Sequence, residues 1–310
     1  QLRIESHYSI ANTFRRDGKY PLAIDALISI LKQDDIFTDN AEQRVRILRS
    51  LLNDLIDLNL VIPARAVADA IEFSLQNELD CPEENFKFLD QKARLAIREG
   101  RISVAVNVYQ RKAHNSTDSR ESAGILYALS WLGDCQQAKM YAEKIEAKLH
   151  TEFHNGNDTN AYFLRALATY KYFDSAAPVL AEEYLAVCQK KLVSHQDSGP
   201  FAMTLLYHLL KTNHCQHEEW QLATSALQDD AYWLELTAFY ALANQCDRAK
   251  SALNQFHKMR RLVIEKLQSC KFEQIDWLES CEEVEKIEND VFLAAHVSPE
   301  NLSKHGLLPL

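Results

Sequence analysis

The chain has 310 residues, a formal net charge of −10 and a hydrophobic content of 47%. This apolar content is too high for a disordered chain, and the negative charge disfavours binding to nucleic-acid phosphates or to anionic membranes. Only seven glycines and seven prolines occur, which is few for a fold rich in strands and loops. We therefore predict an almost entirely helical protein without a nucleic-acid or membrane partner.

The cysteines and the start of the chain indicate the compartment. The seven cysteines are odd in number and irregularly spaced, which favours reduced thiols and a cytoplasmic protein. No apolar run is long enough to cross a bilayer, and no signal-peptide pattern opens the chain. Because the first residue is Gln1 and not Met, we expect a part of a longer protein, with further activity in a missing N-terminal region.

Apolar residues at helical spacing predict a series of helix pairs joined by tight turns. A single pair cannot bury its apolar face, so successive pairs must stack on each other. About seven pairs fit into the chain, and a capping helix with a polar outer face is expected at 274–289. In chain order, the predicted pairs are 2–16 with 20–32, 41–58 with 63–77, a third from Pro82, a fourth around Gly133, 161–172 with 176–192, 201–211 with 218–227, and 231–243 with 247–268.

We interpret residues 1–310 as a single domain. The polar segment 153–160 is the most loop-like part of the chain, and it separates two sub-blocks, 1–152 and 159–292. Residues 293–310 are expected to form a tail.

The predicted turns share one spacing. In four pairs a turn residue precedes an alanine by five positions, and glycine or asparagine at the turn favours a left-handed helix end. In the second pair, Val61 stands where the turn glycine is expected, and Pro63 predicts the start of the helix. The repeated intervals are Gly18–Ala23, Gly100–Ala105, Gly133–Ala138 and Asn244–Ala249.

These residues resemble the tetratricopeptide repeat (TPR), a helix–turn–helix unit of about 34 residues. The family has a small residue on the first helix, a turn glycine, and an aromatic residue and an alanine on the second helix. In the first repeat these are Ala11, Gly18, Tyr20 and Ala23. The resemblance implies an all-α fold, a right-handed α–α superhelix or TPR-like solenoid.

The resemblance also implies a concave groove, lined by the first helices, that receives a protein or peptide. Arginine and asparagine side chains there would bind peptide carbonyls and an acidic side chain, and aromatic rings would supply anchors. Alternatively, Tyr127 and Trp131 pack between neighbouring repeats. A lysine clamp for a terminal carboxylate is not expected, because Tyr8 occupies the lysine position. The groove candidates are Tyr8, Asn12, Arg15, Asp90, Arg94, Arg98, Tyr127 and Trp131.

One cluster has the residue types of a metal site. His214, Cys215 and His217 lie close together, with His208 one helical turn before them, and imidazole with thiolate can bind zinc. No Cys-x-x-Cys pair or second cluster accompanies them, so we interpret the segment as a polar turn and predict no metal. Phosphate-binding loops and nucleophile motifs are also missing, so neither a cofactor nor an enzyme activity is predicted.

The favoured hypothesis is a non-catalytic scaffold that binds a protein or peptide. We expect it to be the regulatory part of a larger bacterial protein of signalling or transcription control, and a homodimer is compatible with this. The alternative is a domain that senses a ligand or signalling peptide inside the superhelix, which a pocket closed at both ends would favour. A metal-dependent enzyme is the third hypothesis.

Overall fold

The computed structural model describes residues 2–33, 37, 41–77, 81–114, 120–155, 160–194 and 198–268. Within these ranges the chain forms fourteen α-helices and no strands, which confirms the all-α prediction for this part. The predicted capping helix and tail lie outside the described residues. The helices are α1 (Leu2–Arg16), α2 (Tyr20–Leu31), α3 (Ala41–Asp57), α4 (Val61–Asn77), α5 (Pro82–Arg98), α6 (Ile102–His114), α7 (Arg120–Leu132), α8 (Cys135–His154), α9 (Ala161–Phe173), α10 (Glu182–Val193), α11 (Ser198–Lys211), α12 (Glu218–Asp229), α13 (Trp233–Leu242) and α14 (Cys246–Gln268).

Five turns have a left-handed residue followed by a buried alanine five positions later. Glycine or asparagine occupies each of these turns because a positive φ is unfavourable for other side chains. The small alanine lets the two helices of the pair approach closely. The turn residues are Gly18 (φ 67°), Asn59 (φ 52°), Gly100 (φ 74°), Gly133 (φ 72°) and Asn244 (φ 56°), and the alanines, all fully buried, are Ala23, Ala64, Ala105, Ala138 and Ala249.

The turn between α3 and α4 corrects the sequence prediction. Asn59, not Val61, is the turn residue, and the backbone N–H of Leu60 donates to the carbonyl of Leu55 at 2.8 Å. Helix α4 therefore begins at Val61, and Pro63 is its third residue and not its first. Proline is tolerated there because the N–H groups of a first helical turn have no intrahelical acceptor.

The fifth predicted pair is also wrong in part. Helix α10 begins at Glu182 and not at 176, because Pro178 interrupts the apolar run and Ala181 is extended. Helix α9 packs against α7, α8 and α11, whereas α10 packs mainly against α11 and α12. The two helices therefore do not form a closely packed hairpin.

Contacts between neighbours along the chain dominate the packing. First helices of successive pairs contact each other where α3 meets α5, α7 meets α9 and α9 meets α11. Tyr207 of α11 lies between Tyr172 and Phe239, with ring centroids 5.4 and 5.1 Å away. Tyr207 and Phe239 are buried, and a buried apolar side chain of this size contributes about 1.5–3 kcal/mol to stability. Among the described helices, none combines the length and the apolarity needed to cross a membrane.

The first and last pairs are in contact with each other. Helix α14 packs against α2, and a Cβ atom added to Gly18 would lie only 2.8 Å from the Cβ atom of Ala231. The last described pair also contacts the second pair, since Arg260 of α14 donates to the backbone oxygen of Asn59 at 3.4 Å. In an open array each pair would contact only the next one, so this contact departs from the predicted arrangement.

Candidate binding site

Charged and tyrosine side chains of the first helices meet in one cluster. It contains four of the predicted groove residues and four residues that the sequence did not reveal. We call it the arginine–tyrosine cluster, and its members are Arg15, Asp54, Asp57, Arg94, Arg98, Tyr127, Arg165 and Glu235.

Arg15 binds the fully buried Asp54. Its Nε and Nη2 atoms donate to the two carboxylate oxygens, and Nη1 donates to Oδ1 of Asn12 at 2.6 Å. Burial raises the pKa of the Asp54 carboxyl to about 6, although the hydrogen bonds from Arg15 act in the opposite direction. Arg15, with a smaller effect of the Arg94 charge, thus offsets only part of the loss of water around this carboxylate.

Arg94 binds two residues of α3. Its Nη1 atom donates to Oδ1 of Asn53 at 2.9 Å, and its Nη2 atom donates to Oδ1 of Asp57 at 2.6 Å. Burial disfavours the charge, but Asp57 and Asp90 outweigh this and raise the pKa of Arg94 above its usual value. The side chains of Arg94 and Asp57 are 36% and 28% exposed, so solvent reaches this pair.

Arg98 connects α5 with α13. Its Nη2 atom lies 3.3 Å from Oε1 of Glu235, and the two side chains are only 14% and 8% exposed. Burial raises the pKa of Glu235, and the nearby Arg98 opposes that shift. This ion pair joins residues 137 positions apart in the chain, so it connects the third helix pair with the last described pair at this point.

Arg165 differs from the other three arginines of the cluster. Its guanidinium carbon lies 5.1 Å from the ring centroid of Tyr127 and 5.4 Å from that of Tyr162, a geometry of cation–π contacts. Its buried Nε atom has no hydrogen-bond partner, and no carboxylate of the described residues forms an ion pair with it. Burial raises the pKa of Tyr127, which keeps this phenol neutral.

The remaining predicted groove residues lie at the edge of the cluster or outside it. The guanidinium of Arg46 lies 4.9 Å above the ring of Tyr8, and a carboxylate oxygen of Asp90 lies 3.9 Å from the Lys112 ammonium. Trp131 is buried, with its ring centroid 5.3 Å from that of Tyr127. This contact joins two residues of α7, so it does not decide whether Tyr127 and Trp131 pack between neighbouring repeats.

The sequence contains a signal that could have revealed part of the missed set. Asn12, Arg94 and Tyr127 each precede their turn glycine by six positions. The residue six positions before the turn residue Asn59 is Asn53. A second shared spacing is two positions, since Asp57 precedes Asn59 by two just as Arg98 precedes Gly100 by two. Both residues accept hydrogen bonds from Arg94. No comparable signal exists for Arg165, because α9 ends without a left-handed residue.

The histidine cluster is a polar turn before α12. The rings of His214 and His217 have centroids 4.6 Å apart, and Cys215 is half-buried. Burial, with a smaller effect of His214, lowers the pKa of His208. In the part of the chain that the structure describes, no group of three or more histidine, cysteine, aspartate or glutamate residues is arranged to hold a metal ion.

Comparison with known proteins adds no family assignment. No family model matches the chain, and no curated protein matches it.

Proposed function

We propose that the chain is a non-catalytic, TPR-like α-solenoid module that binds a protein or peptide through the arginine–tyrosine cluster. The solenoid assignment is supported by the contacts between successive first helices. It is further supported by the five turns in which a left-handed residue precedes a fully buried alanine. The setting implied by the resemblance, a regulatory part of a cytoplasmic bacterial protein of signalling or transcription control, belongs to this proposal.

The observation that carries the proposal is the environment of Arg165. Arg15, Arg94 and Arg98 each bind a carboxylate of the protein itself. Arg165 lies on two tyrosine rings, and its Nε atom lacks an acceptor. A guanidinium without a carboxylate partner in the protein is able to bind one through its two terminal nitrogens, with two parallel hydrogen bonds. The partner would therefore present an aspartate or glutamate side chain to Arg165.

Tyr127 and Tyr162 define a second feature of the partner. Tyr162 is exposed, and Tyr127 is half-buried beside Arg165. Their rings already contact the guanidinium, so an aromatic side chain next to the acidic residue would extend this stack. The proposed recognition element is thus a short segment with neighbouring acidic and aromatic residues.

Glu235 provides an internal competitor for such a segment. It lies near both Arg98 and Tyr127, and its Oε1 atom lies 3.3 Å from Nη2 of Arg98. A partner carboxylate that binds Arg98 as well as Arg165 would displace Glu235. Displacement would loosen the connection between α5 and α13, which is a route from binding to a change in the shape of the module.

A second candidate function is sensing of a small ligand. The packing of α14 on α2 joins the last described pair to the first, and the Arg98–Glu235 pair joins it to the third. Such closure suits a small molecule better than an extended peptide. The ligand would be an aromatic carboxylate, since the same arginine and tyrosine side chains would bind it.

An array of octapeptides with paired acidic and aromatic residues tests both candidates. Wild-type protein is compared with the Arg165→Met variant and with the control variant Arg65→Met. Arg65 is an exposed arginine of α4 that forms an ion pair with Glu99. We expect Arg165→Met to weaken peptide binding by about tenfold or more, and Arg65→Met to leave it unchanged. Peptides with asparagine or glutamine in place of the acids should bind as weakly as the variant does.

The outcomes separate the candidates. Peptide binding that depends on Arg165 supports the protein-binding function. Binding of phenylacetate alone, measured by calorimetry and lost in Arg165→Met, supports the ligand sensor. Binding of either probe that is equal in wild type and Arg165→Met contradicts the proposed site.

A further inference from the structure

An apolar groove lies on the surface where α2 packs against α14, and we call it the α2–α14 groove. Its volume is about 630 Å³, and apolar atoms provide most of its lining. Leu22 of α2 and Leu262 of α14 both line it, and they are 47% and 44% exposed. A single exposed leucine is common on a protein surface, but two leucines in one groove form an apolar patch that no described residue covers. The other lining residues are Lys19, Pro21, Glu265 and Lys266.

The chain itself leads a segment to the α2–α14 groove. Helix α14 ends at Gln268, two residues after the lining residue Lys266, and residues 269–310 follow it in the sequence. The connection 269–273, between α14 and the capping helix predicted at 274–289, has the usual length of a link between packed helices. A segment on so short a tether has an effective concentration on the order of millimolar. This proximity favours it as the occupant over a separate partner.

The sequence of 274–289 has the apolar pattern that such a groove requires. Its apolar residues recur every three or four positions, so they would share one face of a helix. At a rise of 1.5 Å per residue, this helix would span about 24 Å, which is enough to run back along α14. The residues of the apolar face are Trp277, Leu278, Cys281, Val284 and Ile287.

The charges of the groove and of the segment are complementary. Lys19 and Lys266 line the groove, and the exposed Lys258 lies four positions before Leu262 on the same face of α14. Glu265 is the carboxylate of the lining. The ion pairs of Lys19 and Lys266 with nearby aspartates are exposed and therefore weak. The segment 274–289 is acidic, since Lys286 is accompanied by Asp276, Glu279, Glu282, Glu283, Glu285 and Glu288.

We infer that residues 274–289 form an amphipathic helix that docks in the α2–α14 groove, with its apolar face on Leu22 and Leu262. A helix in this position contacts the first and the last described pairs at once, so it strengthens the connection between them. A cap that packs on the last pair alone would leave Leu22 exposed. This inference does not depend on the function proposed above.

Hydrogen–deuterium exchange of the full chain, measured by mass spectrometry, tests this inference. An isolated helix of this length is marginal in water, so slow exchange in the peptides that cover 274–289 reports docking. We expect Leu22→Gln and Leu262→Gln each to speed this exchange by about tenfold or more, because each variant removes apolar burial from the docked state. Val193→Gln changes a valine of α10 that is 69% exposed and lies outside the groove lining. It is the matched control and should leave the exchange unchanged.

Three results would overturn the inference. The first is fast exchange of 274–289 in the wild type. The second is exchange that responds to Leu262→Gln but not to Leu22→Gln, because the helix would then cap the last pair without reaching α2. The third is protection that rises with protein concentration, which would assign the groove to the segment of a second copy. Should a leucine variant fail to fold, Trp277→Gln decides instead. It should speed exchange in the first turns of α2, and unchanged exchange there overturns the docking.

Discussion

The two ends of the chain build similar helix layers with different chemistry. In the N-terminal part, α1, α3 and α5 are joined by ion pairs, as Arg15 with Asp54 and Arg94 with Asp57. In the C-terminal part, α9, α11 and α13 are joined by aromatic rings, with Tyr207 between Tyr172 and Phe239. The N-terminal layer is therefore sensitive to charge, whereas the C-terminal layer depends on apolar burial and shape.

This difference has a functional meaning. Buried ion pairs add little net stability, since the loss of water offsets much of the attraction. Packing of aromatic rings, in contrast, adds net stability for the apolar surface that it buries. The arginine–tyrosine cluster lies where the two chemistries meet, with Arg94 and Arg98 from one side and Tyr127 and Arg165 from the other. The charged layer is thus suited to respond to a ligand, and the aromatic layer to remain rigid.

The largest effect is expected in the aromatic layer. Phe239 is fully buried beside Tyr207, so Phe239→Ala should lower the free energy of unfolding by about 3–5 kcal/mol. Denaturant unfolding followed by circular dichroism measures it. Phe73→Ala on α4 is the control, since that side chain is 55% exposed. A loss below about 1 kcal/mol in Phe239→Ala would show that the aromatic layer is not the rigid part.

Removal of one partner of the buried ion pair should have the next largest effect. Asp54→Ala leaves Arg15 without its carboxylate, and we expect a loss of about 3 kcal/mol. Asp25→Ala breaks the exposed pair with Lys266 and should cost less than about 1 kcal/mol. Equal losses in the two variants would mean that burial of the pair has no energetic consequence.

The pH dependence of stability sharpens the comparison further. The pKa of Asp54 is about 6 in the folded protein and about 4 in an unfolded chain. The folded state therefore binds the proton more tightly between these values. Protonation of Asp54 therefore stabilises the folded state below pH 4. As the pH rises from 4 to 6, the free energy of unfolding should fall by about 2 kcal/mol.

Asp54→Asn provides the reference for this measurement. Urea unfolding of wild type and variant is compared at several pH values, so that other titrating groups cancel. The stability of the wild type relative to Asp54→Asn should fall as the pH rises from 4 to 6. A difference that does not change with pH would refute the raised pKa of Asp54.

The smallest predicted effect concerns the contact between the two regions. Gly18→Ala and Gly133→Ala both place a side chain at a positive φ, which should cost about 1–2 kcal/mol in each. Only Gly18 faces a neighbour, since nothing lies within 4 Å of a Cβ atom at Gly133. The free energy of unfolding should therefore be about 1 kcal/mol lower in Gly18→Ala than in Gly133→Ala, because the added methyl group overpacks the contact with Ala231. Equal thermal stabilities of the two variants would contradict the contact of Gly18 with Ala231.

The sequence allowed prediction of those features that depend on local geometry. Gly18, Gly100 and Gly133 were recognised as turns because a positive φ requires glycine or asparagine. The turn at Asn59 was not predicted, because a glycine was expected two positions later. The turn at Ala231 (φ 59°) was not predicted either, because alanine rarely adopts a positive φ. Apolar periodicity specifies which face of a helix is buried, but it does not specify a distant partner. The pairing of Arg98 with Glu235 could therefore not be predicted.

The packing of α14 on α2 determines how the molecule comes apart. A linear stack of repeats can lose its terminal units one at a time, because each end has a single neighbour. Here the first and the last helix pair of the described residues support each other, and the hydrogen bond from Arg260 to Asn59 joins residues 201 positions apart. Neither end can peel away without releasing the other, so unfolding should be concerted, and folding should be slowed by the long loop that has to close.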